Sequence, residues 1–156
     1  MGINDFNKEL VKAKTASYRL LKVRTRSEQE LRLRLKQKKF SSRIISVVIK
    51  EFKRIGLIND IDFAKNWVRS RINKGFGKRR IILELRQKGI SPNIIEKQAC
   101  DIEKNYSPAS MIHELTQQRI KRYTSLERSV AQRRIYGFLL RRGFSMDAVL
   151  KEIKAL

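Results

Sequence analysis

Gly75-Phe76-Gly77, followed at once by Lys78, Arg79 and Arg80, is the stretch whose spacing comes nearest to a catalytic device. Glycines two apart ahead of a basic helix could cradle a phosphate, as nucleotide-binding loops do. The dinucleotide fingerprint, however, needs a third glycine where Arg80 stands, and the Walker pattern needs Ser or Thr where Arg79 follows Lys78. No strand pattern precedes the stretch, so its glycines serve a turn between helices by supplying positive φ. His113 is the only histidine and Cys100 the only cysteine, which leaves zinc chelation and Cys-His catalysis without ligands. Asp60 with Asp62, and Asp101 with Glu103, lie two apart and would project to different sides of a helix rather than converge as an acid-base pair. No catalytic constellation, cofactor or metal is expected.

Cations in recurrent places are what remains. Arg32, Arg34, Lys36 and Lys38 surround Leu31 and Leu35; Lys74, Lys78, Arg79, Arg80, Arg86 and Lys88 surround Ile81 and Leu85; Arg133, Arg134, Arg141 and Arg142 surround Ile135 and Leu139. The apolar members must face a core, so these fourteen basic side chains are expected to face outward at equivalent positions and to bind DNA or an acidic protein surface. Among the aromatics, Trp67 and Tyr136 are expected in the core and Phe76 at the surface, where it or Tyr123 could stack on a base.

The elements that carry these groups repeat with a period near fifty residues. Leu85, Gly89, Ile90, Ser91 and Ile94-Ile95 are answered by Leu35, Lys39, Phe40, Ser41 and Ile44-Ile45, and by Leu139, Gly143, Phe144, Ser145 and Ala148-Val149. Such self-similarity means tandem copies of one supersecondary unit. In the first copy, helices are expected over Asp5 to Val23, from a Ser27/Glu30 capping box to Lys38, and from Ser41 or Ser42 to Gly56. In the second they start at Asn59 or Asp60, after Gly77, and at Ser91-Pro92. In the third they start at Ser107-Pro108, at a second capping box formed by Thr124 and Glu127, and at Ser145. Nothing alternates as a strand would. The expected fold is all-α, three tandem three-helix bundles over residues 1–58, 59–106 and 107–156, in an elongated and curved body.

KGFGKRRIILELRQKGIS (Lys74 to Ser91), GLINDIDFA (Gly56 to Ala64) and RSEQEL (Arg26 to Leu31) resemble segments of the RecX family, regulators of the RecA recombinase, as does FLLRRGFS (Phe138 to Ser145). Lys78 departs from the proline frequent there in the family, and Lys39 from the usual glycine. The resemblance implies a non-enzymatic protein of DNA recombination and repair, which lies in the groove of the RecA nucleoprotein filament and modulates, mainly inhibits, its ATP hydrolysis and strand exchange.

Composition supports a polyanion partner. The formal charge is +22, divided as +10, +6 and +6 over residues 1–60, 61–106 and 107–156, so it belongs to an extended surface and not to a tail. Single- and double-stranded DNA are the expected nucleic-acid partners, with a general basic DNA-binding protein as the rival reading. One cysteine excludes an internal disulfide framework, and neither a membrane span nor a signal-peptide block is visible; a cytoplasmic monomer is expected.

Overall fold

A computed structural model describes residues 3–156, and among these every regular element is a helix. In chain order they are α1 (Ile3–Val23), α2 (Glu28–Gln37), α3 (Ser42–Arg54), α4 (Asp60–Asn73), α5 (Lys78–Gln87), α6 (Pro92–Asn105), α7 (Ala109–Ile120), α8 (Arg128–Arg141) and α9 (Met146–Lys154). Helices this short are marginal alone and are held by burial of their apolar faces. Accordingly α1–α3, α4–α6 and α7–α9 each pack as a bundle around a separate core. Leu31 and Leu35, Ile81 and Leu85, and Ile135 and Leu139 are fully buried at the centres of the three.

Local capping chemistry fixes most helix starts. Ser27 accepts from the Glu30 amide while the Glu30 carboxylate accepts from the Ser27 amide, a complete capping box. Ser41 and Ser145 cap α3 and α9 with their hydroxyls, and the Asn59 side chain accepts from the amides of Ile61 and Asp62. Two starts in the third bundle are corrected. Thr124 and Glu127 form no capping box: residues around Tyr123 to Leu126 close a turn through the Leu126 amide and the Tyr123 carbonyl, which leaves Thr124 outside the helix. Glu127 becomes the cap position of α8, and its carboxylate accepts from the Ser129 hydroxyl instead. Pro108 occupies the cap position of α7, one residue out of step with Pro92, which is the first residue of α6.

The chain turns between second and third helices through one left-handed residue per bundle: Lys39 (φ 65°), Gly89 (φ 72°) and Gly143 (φ 88°). A side chain there crowds the following carbonyl, at a cost of about 1–2 kcal/mol. Lys39→Gly is therefore expected to raise the stability of the first bundle by about 1 kcal/mol, read by chemical denaturation.

Bundles meet at the ends of their second helices. At the first joint the Ser27 hydroxyl donates to the Lys88 carbonyl (2.6 Å), and the Glu28 amide donates to the Asp60 carboxylate (2.8 Å). At the second, the Gly77 amide donates to the Arg142 carbonyl (2.8 Å) and the Arg79 amide to the Gly143 carbonyl (3.1 Å). At the second joint amides at the start of α5 thus take up carbonyls left open at the end of α8, while at the first the Ser27 hydroxyl takes the open Lys88 carbonyl and the open Glu28 amide takes a carboxylate. α8, α5 and α2 follow one another head to tail, an arrangement their dipoles favour.

Candidate nucleic-acid and partner interface

Joining the bundles this way divides the fourteen expected cations into two groups. Among the described residues, Arg34, Lys36, Lys38, Lys74, Arg79, Arg86, Arg133, Arg134 and Arg141 are exposed and have no carboxylate partner. The other five are engaged within the fold. Arg32 pairs with Glu28 (2.8 Å) and Arg80 with Glu84 (3.0 Å), each one helical turn apart, and Lys78 pairs with Glu103.

Lys88 and Arg142 do not face outward as expected. They occupy the same end position in α5 and α8, and both reach back to the preceding bundle. Lys88 Nζ lies 2.7 Å from Glu30. The Arg142 guanidinium donates to the carbonyls of Lys74 and Gly75, and burial, then the nearby Arg119, lowers its pKa. Lys38, their counterpart in the first bundle, is exposed. Phe76 is likewise corrected: it is half-buried against the second core, with Arg142 4.8 Å and Arg71 5.3 Å from its ring centre. Trp67 is half-buried as expected of a core residue, its ring occupied by Lys88 (3.9 Å) and Arg71 (4.3 Å) and its indole N–H bound to Glu84 (3.0 Å). Tyr136 packs against the third core, and Tyr123 is half-buried there with Arg134 5.8 Å from its ring.

The first joint carries a basic cleft of about 470 Å³. Arg24, Arg26, Arg34, Arg71, Arg80 and Lys88 line it, against the carboxylates of Glu30 and Glu84 alone. Glu84 is buried and satisfied by Trp67, Arg71 and Arg80. Burial alone would raise the pKa of Glu30, but hydrogen bonds from Arg24 and Lys88 bring it down to about 2. Both acids are thus saturated with donors, and positive charge is left over. Arg26 bears the excess: burial, then the neighbouring Arg24, lowers its pKa, with Arg34 adding to the same effect. A group that gives up solvent beside like charges is relieved by a bound anion. Arg24, Arg26 and Arg71 escaped the sequence reading because they lie outside the second helices. Arg71 had a local signal, one turn beyond Trp67 on α4, where cation-π contact is natural.

Three family models match this architecture bundle by bundle: RecX, first three-helix domain, over residues 13–52; RecX, second three-helix domain, over 59–97; and RecX, third three-helix domain, over 109–151. The chain belongs to the RecX family. It is similar to Regulatory protein RecX of Amycolatopsis mediterranei, at 33% identity over 92% of this chain and 82% of that protein. Regulatory protein RecX of Legionella pneumophila is 34% identical over 93% of this chain and 95% of its own length. The crystal structure of RecX from Lactobacillus salivarius superposes with a TM-score of 0.79 at 27% identity, covering 96% of this chain and 97% of that one. Regulatory function is therefore the family's character, and among the described residues of this RecX-family chain no group of His, Cys, Asp or Glu could hold a metal ion. Nor is any described helix long and apolar enough to cross a membrane. Each basic helix, α2, α5 and α8, lies inside a matched RecX domain.

Proposed function

We propose that this RecX-family chain binds RecA nucleoprotein filaments as a monomer in the cytoplasm, touching DNA phosphates and acidic RecA surface with its basic helices, and that it slows filament ATP hydrolysis and strand exchange. Membership of the family across all three bundles carries this reading. Its physical support is the recurrence of unpaired cations: Lys36 and Lys38 on the first bundle, Arg79 and Arg86 on the second, Arg133, Arg134 and Arg141 on the third. Because the bundles are pinned through helix ends, these cations sit on one body, and several weak contacts then act at high effective concentration. The basic cleft at the first joint supplies a further phosphate position through Arg26 and Arg34. No step of this role requires the protein to make or break a covalent bond.

Unpaired exposed cations can be removed without disturbing the fold, whereas the joint cations cannot. Arg79→Ala with Arg86→Ala, combined with Arg133→Ala and Arg134→Ala, is expected to leave the melting temperature within a few degrees of the unmodified protein. DNA affinity should fall by about one to two orders of magnitude at low salt, and the salt slope should shrink by about 0.7–0.9 for each phosphate no longer neutralised. Fluorescence anisotropy on labelled single- and double-stranded DNA reads both quantities. Unchanged affinity and slope would remove these residues from the interface.

A further inference from the structure

The second joint holds an apolar cleft of about 720 Å³ on the side of α5 that carries Ile82 and Leu83. Its floor comprises Ile82, Leu83, Ile102, Tyr106, Pro108 and Phe144. Leu83 is 45% exposed although it lies among these apolar neighbours. The Tyr106 hydroxyl is buried and has no hydrogen-bond partner, and burial raises its pKa. Arg79 and Arg86 stand at the rim, both exposed and without a carboxylate partner among the described residues, while Lys78 and Glu103 pair with each other.

Comparison with the first joint shows what is particular about this cleft. The repeat places a second cleft between α2 and the start of α4, lined by Glu28, Arg32, Lys53, Asn59, Asp60 and Gly89 among others. There the ion pair equivalent to Lys78–Glu103 is kept with its signs exchanged, as Glu28–Lys53 (2.7 Å). Arg32 stands where the second joint has Ile82, and it closes onto Glu28; the cap Asn59 stands where the second joint has Pro108. The Glu28 amide is also tied to Asp60. The first cleft, of about 620 Å³ and lined also by Ile58, Ile61 and Ile94, thus has its charged groups paired with one another. At the second, the same frame has lost that network and offers apolar surface under free cations.

We propose that the cleft at the second joint docks a segment of a partner protein in which a bulky apolar side chain is flanked by carboxylates. The apolar side chain rests on Ile82, Leu83 and Pro108, and the carboxylates meet Arg79 and Arg86. DNA fits this floor poorly, because phosphates and sugars bring no aliphatic group to bury there. A second copy of the chain would bring another +22 charge and another Arg79 and Arg86 to the same rim. An acidic segment instead gains from both the rim and the long-range field. This goes beyond the filament reading, and a peptide assay tests it independently of any filament assay.

The probe is a fluorescein-labelled, aspartate-rich peptide with one central phenylalanine, compared with the same peptide carrying alanine there. The full-length protein is expected to bind the phenylalanine peptide about tenfold more tightly, the factor that burying one such side chain supplies. Leu83→Ser should remove that preference, while Ile61→Ser at the equivalent cleft of the first joint should retain it. Both residues are about half exposed, and unchanged circular dichroism melts establish that each variant folds. Equal binding of the two peptides would mean that surface charge alone attracts them, and the proposal would fall. It would fall equally if Leu83→Ser kept the preference, or if sedimentation showed Leu83→Ser converting a dimer to a monomer, which would make a second copy the occupant.

Discussion

Gly77→Ala is expected to open the second joint while leaving the three cores folded. A Cβ at this position would lie 2.4 Å from the Gly143 carbonyl carbon and oxygen and 2.5 Å from the Phe144 nitrogen. All three are backbone atoms, which cannot rotate away as a side chain can. To admit the methyl group the end of α8 must withdraw, and the bonds from the Gly77 amide to Arg142 and from the Arg79 amide to Gly143 stretch or break. Two backbone hydrogen bonds and the overpacking together are worth about 2–4 kcal/mol. Gly56→Ala is the control for a local effect, because its left-handed backbone (φ 74°) is strained by a side chain while nothing lies within 4 Å of the added atom. It should cost about 1 kcal/mol and leave both joints intact. Spin labels at Lys65→Cys and Lys151→Cys, in a Cys100→Ser background, report the distance between the second and third bundles. A broadened or displaced distance distribution in Gly77→Ala alone is the expected result, together with a loss of filament modulation greater than the loss of DNA affinity.

Glu30→Gln is expected to produce the largest loss at the first joint. The carboxylate accepts from both Arg24 nitrogens (3.0 Å each), from Lys88 Nζ (2.7 Å) and from the Ser27 amide (3.3 Å). A neutral amide leaves Arg24 and Lys88 facing Arg26 and Arg34 without compensation. The folded pKa of about 2 lies below the ordinary 4.5, so the charged carboxylate stabilises the fold above the unfolded pKa. That contribution declines as pH falls from 4.5 through about 2, where the carboxyl protonates in both states. Converted in full the shift is worth roughly 3 kcal/mol, and solvent screening in the open cleft reduces this to about 2. Urea denaturation of both proteins should show the difference at neutral pH and its disappearance near pH 2. A difference independent of pH would mean that the amide acts by shape and not by charge.

What could be read from the sequence was local or periodic. The Ser27/Glu30 box, the Ser41, Asn59 and Ser145 caps and the buried pairs led by Leu31, Ile81 and Ile135 depend on residues within a turn or two of one another. Thr124 and Glu127 carried the same local signal, yet the turn at Tyr123–Leu126 took the segment first. The joints were not legible, because their bonds run between groups far apart in the chain, and nearly all of them have a backbone amide or carbonyl on one side, which leaves little side-chain pattern. Gly77 and Gly143 were visible only as turn residues, although at both the missing Cβ is what lets two backbones meet. The same blindness misplaced Lys88 and Arg142. As helix-end cations they look solvated, and only the neighbouring bundle gives them Glu30 and the Lys74 and Gly75 carbonyls. Phe76 was misread for the same reason, since Arg142 comes from the next bundle to cover it.

A single salt series separates filament specificity from general DNA binding. RecA ATP hydrolysis on preassembled filaments and binding to naked DNA are measured with the same protein over the same salt range. Phosphate contacts alone weaken with a log-log slope of about −0.7 to −0.9 for each phosphate neutralised. Contacts to RecA add to that free energy, so hydrolysis is expected to be still slowed at salt where binding to naked DNA has vanished. Loss of both activities at the same salt, with an unrelated basic protein of equal charge reproducing the effect on hydrolysis, would contradict it and leave a general DNA-binding protein.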